Sequence, residues 1–262
     1  MNLENICKQV IELTKSVGQF ILNEKDKNLT IEVKGIHDFV TYVDKTAEQK
    51  LVDKLVQILP EAGFIAEEGT SVKKGDMYNW IIDPLDGTTN FIHGLSPYAI
   101  SIALMENDKV ILGVVHELSL NECFYAWENS GAYLNGKKIK VSEIGKVKDS
   151  LIATGFPYYD YDRIKPFMTT LEHFMANSHG VRRLGSAATD LAYVACGRFE
   201  AFYEYSLSPW DVAAGAFIVQ QAGGLISDFR GENNYIFGKE IIACNNKVFN
   251  EFLDTVKTIM NN

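Results

Sequence analysis

The sequence predicts a mixed fold, an α+β half followed by an α/β half. Between Tyr98 and Glu128, strand-like runs succeed one another through short turns such as Glu106-Asn107-Asp108, the pattern of an antiparallel sheet. After Ser150, strand-like and helix-like stretches alternate instead. With 262 residues, 47% of them hydrophobic, the chain has enough apolar material for a large core without covalent staples. Residues 1–150 and 151–262 are the expected halves, packed as one compact unit with a cleft between them.

Leu3, Ile6, Val10, Leu13, Val17, Phe20 and Ile21 share one helical stripe, which predicts a helix over 3–25. Residues 34–38 read as an irregular loop. A second helix runs from Thr41 to about Leu59 and stops at Pro60, with Ala47, Leu51, Leu55 and Ile58 inward. Thr41 and Asp44 stand in its first turn, where oxygen side chains cap free N–H groups. Residues 63–66 form a short strand ending in Glu67-Glu68. The polar stretch 70–76, with Lys73-Lys74, is a solvated loop. Trp80-Ile81-Ile82 is a buried strand that delivers Asp83, and Pro84 is expected to stop its pairing. Asp86, Gly87, Thr88 and Thr89 lead through a tight turn into a helix. Strands follow at 98–106, 109–117 and 122–128, with hairpin turns at 129–131 and at Asn135-Gly136.

In the second half, 151–154 is a strand and 161–176 a helix. A strand-to-helix junction spans 181–186, and its helix ends at Cys196. Residues 200–204 form another strand. Ser208-Pro209-Trp210-Asp211 starts a helix, with Ser208 as cap, Pro209 in the first turn and Asp211 third. Gly223-Gly224 stops it. Strands at 225–228 and 240–243 and a last helix from Lys247 complete the chain.

The net charge is 25 − 34 = −9, which disfavours nucleic acid and anionic membranes as partners. It leaves anionic substrates open if metal ions invert the sign locally. Cys7, Cys123, Cys196 and Cys244 are scattered and suit a reducing cytoplasm rather than a disulfide framework or zinc site. The N-terminus lacks the apolar core of a signal peptide, and the richest apolar run, 212–219, is too short to span a bilayer. The expectation is a soluble cytoplasmic protein. His93 and His116 show no ligand spacing.

Residues 80–90 concentrate hard oxygen. Asp83, Asp86 and an exposed backbone carbonyl within one turn suit Mg²⁺ or Mn²⁺, and the N–H groups of the helix start suit a phosphate. Asp-Pro-x-Asp-Gly is also ordinary turn chemistry, so the stretch alone leaves both readings open. Glu67 after a strand and Asp211 at a helix start are further carboxylates on separate elements. Gathered in one pocket they would repel one another unless cations lay between them. Each alone is more often a cap or a surface acid, and spacing does not say whether they meet.

Glu67-Glu68, then Asp83-Pro84-Leu85-Asp86-Gly87-Thr88-Thr89-Asn90-Phe91, then Trp210-Asp211-Val212-Ala213-Ala214-Gly215 closely resemble the motifs of the inositol monophosphatase family. The run from Lys34 to Asp44 resembles its N-terminal motif, and Gly185-Ser186-Ala187-Ala188 and residues 200–204 resemble its substrate-side segments. The likeness covers nearly the whole chain in family order. Glu68-Gly69 replaces a commoner Glu-Ser, and the 70–76 loop is short; neither change removes a ligand.

The resemblance implies a layered α-β-α-β-α sandwich of the sugar-phosphatase type and lithium-sensitive, Mg²⁺-dependent phosphomonoester hydrolysis by metal-activated water. By resemblance, Glu67, Asp83 and the Leu85 carbonyl hold a first metal, and Asp83, Asp86 and Asp211 a second. Glu67 reaches a weaker third ion through waters, and Mn²⁺ is a possible substitute. Thr88 paired with Asp44 resembles the family's water-orienting pair, which moves Asp44 from cap towards catalysis. Gly87, Thr88 and Thr89 are the phosphate-side residues. Glu204, Ala187 and Asp211 face the leaving group, with Asp190 and Arg182 nearby in sequence. Relatives act on inositol phosphates, fructose 1,6-bisphosphate, histidinol phosphate, 3′-phosphoadenosine 5′-phosphate or the 2′-phosphate of NADP. The likeness around Trp210 and Glu204 favours inositol monophosphate, with NADP or a sugar bisphosphate next. The family also implies a homodimer, and a regulatory partner-binding protein is the non-enzymatic alternative.

Overall fold

The computed structural model describes residues 1–25, 31–35, 38–158 and 160–261. The amphipathic N-terminus folds as α1 (Leu3–Glu24), with Asn2 accepting the Asn5 N–H as its cap. The extended pair β1 (Ile31–Gly35) and β2 (Asp38–Thr41) follows and is antiparallel. Lys34, Gly35 and Asp38 are therefore strand rather than irregular loop, and Ile36 and His37 of the N-terminal motif lie outside the described residues. Helix α2 (Tyr42–Ile58) opens with the expected cap, closed reciprocally by Thr41 and Asp44.

A seven-stranded sheet comes next. It comprises β3 (Gly63–Ala66), β4 (Tyr78–Asp86), β5 (Ala99–Glu106), β6 (Lys109–Glu117), β7 (Glu122–Trp127), β8 (Ala132–Leu134) and β9 (Lys137–Ile139), hydrogen-bonded in that order. All neighbours are antiparallel except β3 and β4. The short helix α3 (Thr88–Ile92) interrupts the run between β4 and β5. Pro84 does not end β4 as expected. Asp83 pairs with Ser101 and Asp86 with Ala99, so one extra residue bulges out and the strand resumes beyond the proline. The bulge turns Asp83, Leu85 and Asp86 towards one end of the sheet.

The second half yields β10 (Leu151–Thr154), α4 (Ile164–Asn177), β11 (Gly180–Arg182), α5 (Ala187–Ala195), β12 (Ala201–Tyr205), α6 (Pro209–Gln221), β13 (Leu225–Ser227), β14 (Glu240–Cys244) and α7 (Phe249–Met260). Its five strands lie in the order β11-β10-β12-β14-β13 and are mixed in direction.

Helices α1 and α2 cover one face of the larger sheet, and α5 and α6 fill the space between the sheets. Helices α4 and α7 cover the outer face of the smaller sheet. The result is the layered α-β-α-β-α sandwich. Three apolar clusters fill its interlayers. The apolar run 212–219 is explained by this placement: α6 is buried all round because it is the middle layer. At Gly215 a Cβ would stand 2.6 Å from the Leu191 Cβ, so glycine lets α5 and α6 close on each other. No helix among the described residues is long and apolar enough to cross a membrane. All four cysteines are free thiols.

Candidate active site

One cleft, of about 220 Å³, collects residues from both halves of the sequence. Glu67 enters from the end of β3, Asp83, Leu85 and Asp86 from β4, Thr88 from α3, and Asp211 from the first turn of α6. Gly87, Thr89, Ala187 and Glu204 also line it. Asp44 does not face the cleft but stands behind Thr88, within hydrogen-bond reach of its hydroxyl. Four carboxylates from three separate elements thus share one space, the point that spacing alone left open.

Local interactions hold each one. The Leu85 N–H donates to Asp83 Oδ1 at 2.9 Å, and the carboxyl groups of Asp83 and Glu67 touch in a hydrogen bond. Asp86 Oδ2 accepts the Ser186 hydroxyl at 2.6 Å and the Ala188 N–H at 2.8 Å. Asp211 Oδ2 caps the Ser208 N–H at 2.7 Å. Among the described residues no three His, Cys, Asp or Glu side chains are gathered closely enough to hold one metal ion by themselves.

Electrostatics show the cost of this crowding. Asp83 is 2% exposed; burial and then the charges of Glu67, Asp86 and Asp211 push its pKa well above the usual carboxylate range. Burial pushes Asp86 up to about 6, against the opposing bonds from Ser186 and Ala188. Burial also raises Glu204, followed by the charge of Asp211. The donor set is purely hard oxygen, carboxylate and carbonyl. It fits Mg²⁺-like cations, whose charge would offset the repulsion.

The Thr88 hydroxyl lies 2.9 Å from both Asp44 Oδ1 and the Leu85 carbonyl oxygen. It carries one proton, so it donates to one of them at a time. Asp44 is fixed from the other side by the Thr41 N–H at 2.8 Å and the Thr41 hydroxyl at 2.6 Å. Capping and pairing to Thr88 are therefore both true of this carboxylate. Gly87, at φ +89°, forms the turn between β4 and α3, and a Cβ there would meet the Pro97 carbonyl at 2.9 Å.

Two expected leaving-group contacts are displaced. Arg182 is exposed and turns to the Val181 carbonyl; the arginine that lines the cleft is Arg183. Asp190 is buried behind the cleft rather than in its lining.

Sequence reading placed Ser186 in a substrate-side segment without its bond to Asp86, and it missed Tyr158 and Glu48 altogether. Glu48 is fully buried on α2 and accepts the Glu68 N–H, the Thr70 N–H and the Thr70 hydroxyl, each at 2.8 Å. It clamps the loop that begins with Glu67. Its only signal was an acid on the inward face of an amphipathic helix.

The sequence profile described as "Inositol monophosphatase family" matches residues 2–260. The chain is 39% identical to the Nus factor SuhB of Pseudomonas aeruginosa, across 94% of each chain. It is likewise 39% identical to a fructose-1,6-bisphosphatase/inositol-1-monophosphatase of Thermotoga maritima, across 95% of each. Among solved structures, the extragenic suppressor protein suhB from Bartonella henselae superposes with a TM-score of 0.92 at 35% identity, covering 98% of this chain and 99% of the other.

Proposed function

The chain belongs to the inositol monophosphatase family and is a phosphatase; from that premise we propose that its cleft hydrolyses a small phosphate monoester, inositol monophosphate first, with Mg²⁺. The observation that carries this is the meeting of Glu67, Asp83, Asp86 and Asp211 in one cleft beside the Thr88–Asp44 pair. Glu67, Asp83 and the Leu85 carbonyl would hold one cation. Asp83, Asp86 and Asp211 would hold a second, and Glu67 would reach a third through waters. Mn²⁺ has the same preference for oxygen. Bound divalent cations neutralise phosphoryl charge and acidify water.

The chain's own residues do the positioning. When Thr88 gives its proton to Asp44, its oxygen lone pairs accept from the attacking water and aim it in line with the ester bond. The N–H groups of residues 87–89 hold phosphoryl oxygens at the start of α3. The P–O ester bond breaks, and the leaving oxygen takes up a proton and departs as the alcohol. Glu204 accepts a hydroxyl of that alcohol, and the small side chain of Ala187 leaves it room.

Phosphate release with and without Mg²⁺ tests the reading, on inositol 1-phosphate, fructose 1,6-bisphosphate, NADP and 3′-phosphoadenosine 5′-phosphate. Mg²⁺-dependent release from at least one ester is expected, with inhibition by Li⁺. The Thermotoga relative's name supports a sugar bisphosphate as the second substrate; NADP is the other alternative. The names of the SuhB relatives support a partner-binding role besides catalysis. Silence across the whole panel favours that role alone. A homodimer in the cytoplasm is the expected state, and light scattering measures the assembly.

A further inference from the structure

Three glycines line the cleft among the described residues. Gly87 and Gly185 have φ of +89° and +93°, in the left-handed region, so the backbone itself calls for glycine at both. Gly155 is different. Its φ lies outside that region, where other residues fit the backbone as well. What leaves no room there is a side chain from another strand. A Cβ at Gly155 would stand 2.0 Å from the Glu204 Cδ, 2.0 Å from its Oε1 and 2.1 Å from its Oε2. The Glu204 carboxyl group occupies the place of the missing side chain.

The strands explain the meeting. β10 and β12 run parallel with Thr154 opposite Tyr203, so Gly155 and Glu204 are the next residues along and lie side by side. The Thr154 hydroxyl donates to the Tyr203 carbonyl at 2.8 Å and ties the two backbones together. Glu204 is 7% exposed and lines the cleft, on the leaving-group wall that it shares with Arg183. Among the described residues no N–H or O–H donates to its carboxyl group. A buried carboxylate without a donor is costly unless a ligand supplies one. Two acceptor oxygens side by side suit the neighbouring hydroxyls of a polyol and offer nothing to a leaving group that has none. The backbones of β10 and β12 are bonded to each other, while the carboxyl group is the far end of a flexible side chain. A side chain at position 155 would therefore displace the carboxylate and leave the strands in place.

We propose that Gly155 is a specificity-determining residue of the cleft: by carrying no side chain it seats the Glu204 carboxylate against the leaving group, and so sets the preference for polyol phosphates over esters without hydroxyls. Gly155 acts through Glu204 and touches neither the phosphate nor the cations, so it is a positioning residue. The inference rests on the cleft being the phosphatase site proposed above.

The test compares inositol 1-phosphate with cyclohexyl phosphate, which has the same ring without the hydroxyls. In the Mg²⁺-loaded wild type, kcat/KM is expected to favour inositol 1-phosphate by about 10- to 100-fold, the scale of hydrogen bonds to a charged group. Gly155→Ala should lower that ratio by about tenfold or more, through KM rather than kcat. Inhibition by inorganic phosphate, which needs only the metal side, should be unchanged. Glu204→Ala should lower the ratio to the same extent. Adding Gly155→Ala to Glu204→Ala should then change nothing further, because the group it displaces is gone. A ratio that survives Gly155→Ala, or an equal loss when that change is added to Glu204→Ala, overturns the proposal. So does a Gly155→Ala protein that does not fold, since the strands and not the carboxylate would then have given way. Release from some ester without a wild-type preference for inositol 1-phosphate overturns this assignment and leaves the phosphatase reading standing. Release from no ester overturns both.

Discussion

On the acidic wall of the cleft, each functional side chain lies within three residues of the end of a strand or helix. Glu67 follows β3, Asp86 ends β4, Thr88 opens α3, and Asp44 and Asp211 sit in the first turns of α2 and α6. The opposite wall is assembled differently. Arg183 and Tyr158 are 25 residues apart, both outside regular elements, and meet only through the fold. The acids are delivered by local backbone geometry and then tied across the fold, as Asp86 is to Ser186 and Ala188, whereas Arg183 and Tyr158 depend on packing between segments alone. Chemistry common to a family belongs on the rigid wall, and choice of leaving group belongs on the adjustable one. Substitutions on the two walls should therefore fail in different ways.

The largest effect is expected from Asp83→Asn. This carboxylate is proposed to serve two cations, each worth several kcal/mol of transition-state charge, so kcat should fall by about 10³-fold or more. Steady-state kinetics at saturating Mg²⁺ measure it, and near-normal turnover would remove Asp83 from the centre of the site. Thr88→Val keeps the shape and removes the hydroxyl. The loss should appear in kcat, by about 10²-fold, with KM nearly unchanged, because the pair with Asp44 acts on the water and not on the substrate.

A third change tests whether the acidic wall is held rigid from behind. Glu48→Gln leaves one acceptor and one donor where three donors now converge. The Mg²⁺ concentration for half-maximal activity should rise about 10- to 100-fold, the range for outer-shell supports, while kcat at saturating Mg²⁺ changes little. Loss of kcat with no change in Mg²⁺ demand would make Glu48 a support of the fold alone.

Protonation gives the next smaller effect. The Asp86 carboxyl goes from 3.8 to about 6 in the folded protein, equivalent to roughly 3 kcal/mol. Because the folded pKa is raised, the folded state holds the extra proton between those values. Stability in EDTA then falls as pH rises from about 4 to 6 and stays lower above it. Asp86→Asn has nothing to titrate. Its Tm in EDTA should exceed that of the wild type at pH 7.5, and the gap should narrow towards pH 4. Mg²⁺ should raise the wild-type Tm more at pH 7.5 than at pH 5, since it competes with protons. A pH-independent gap would mean that Asp86 is ionised throughout.

Legibility in the sequence divides along the same two walls. The caps at Thr41 and Ser208, the strands that end in acids and the hairpin turns are local signals, and the structure places them within a residue or two of expectation. The sandwich layering and the site carboxylates came from motif resemblance, since periodicity alone left Asp83 as an ordinary turn acid. Pro84 misled because a bulge lets a strand pass a residue that cannot donate. Glu48, Tyr158 and Arg183 were invisible for a shared reason. Each acts through a partner distant in sequence, at separations of 20 to 25 residues.

Arg182 and Arg183 put the comparison at its finest scale. They are consecutive, and chemically the same. Arg182 is the last residue of β11, and side chains of successive residues in an extended chain point to opposite sides. One is turned to solvent with a single bond to the Val181 carbonyl, and the other into the cleft between two rings. Arg182→Ala should therefore leave kcat/KM for every ester within about twofold and stability within about 0.5 kcal/mol, as for an ordinary surface site. A loss of kcat/KM beyond that in this variant would place part of the leaving-group wall on the outer side of β11 and break the assignment of that wall to Arg183.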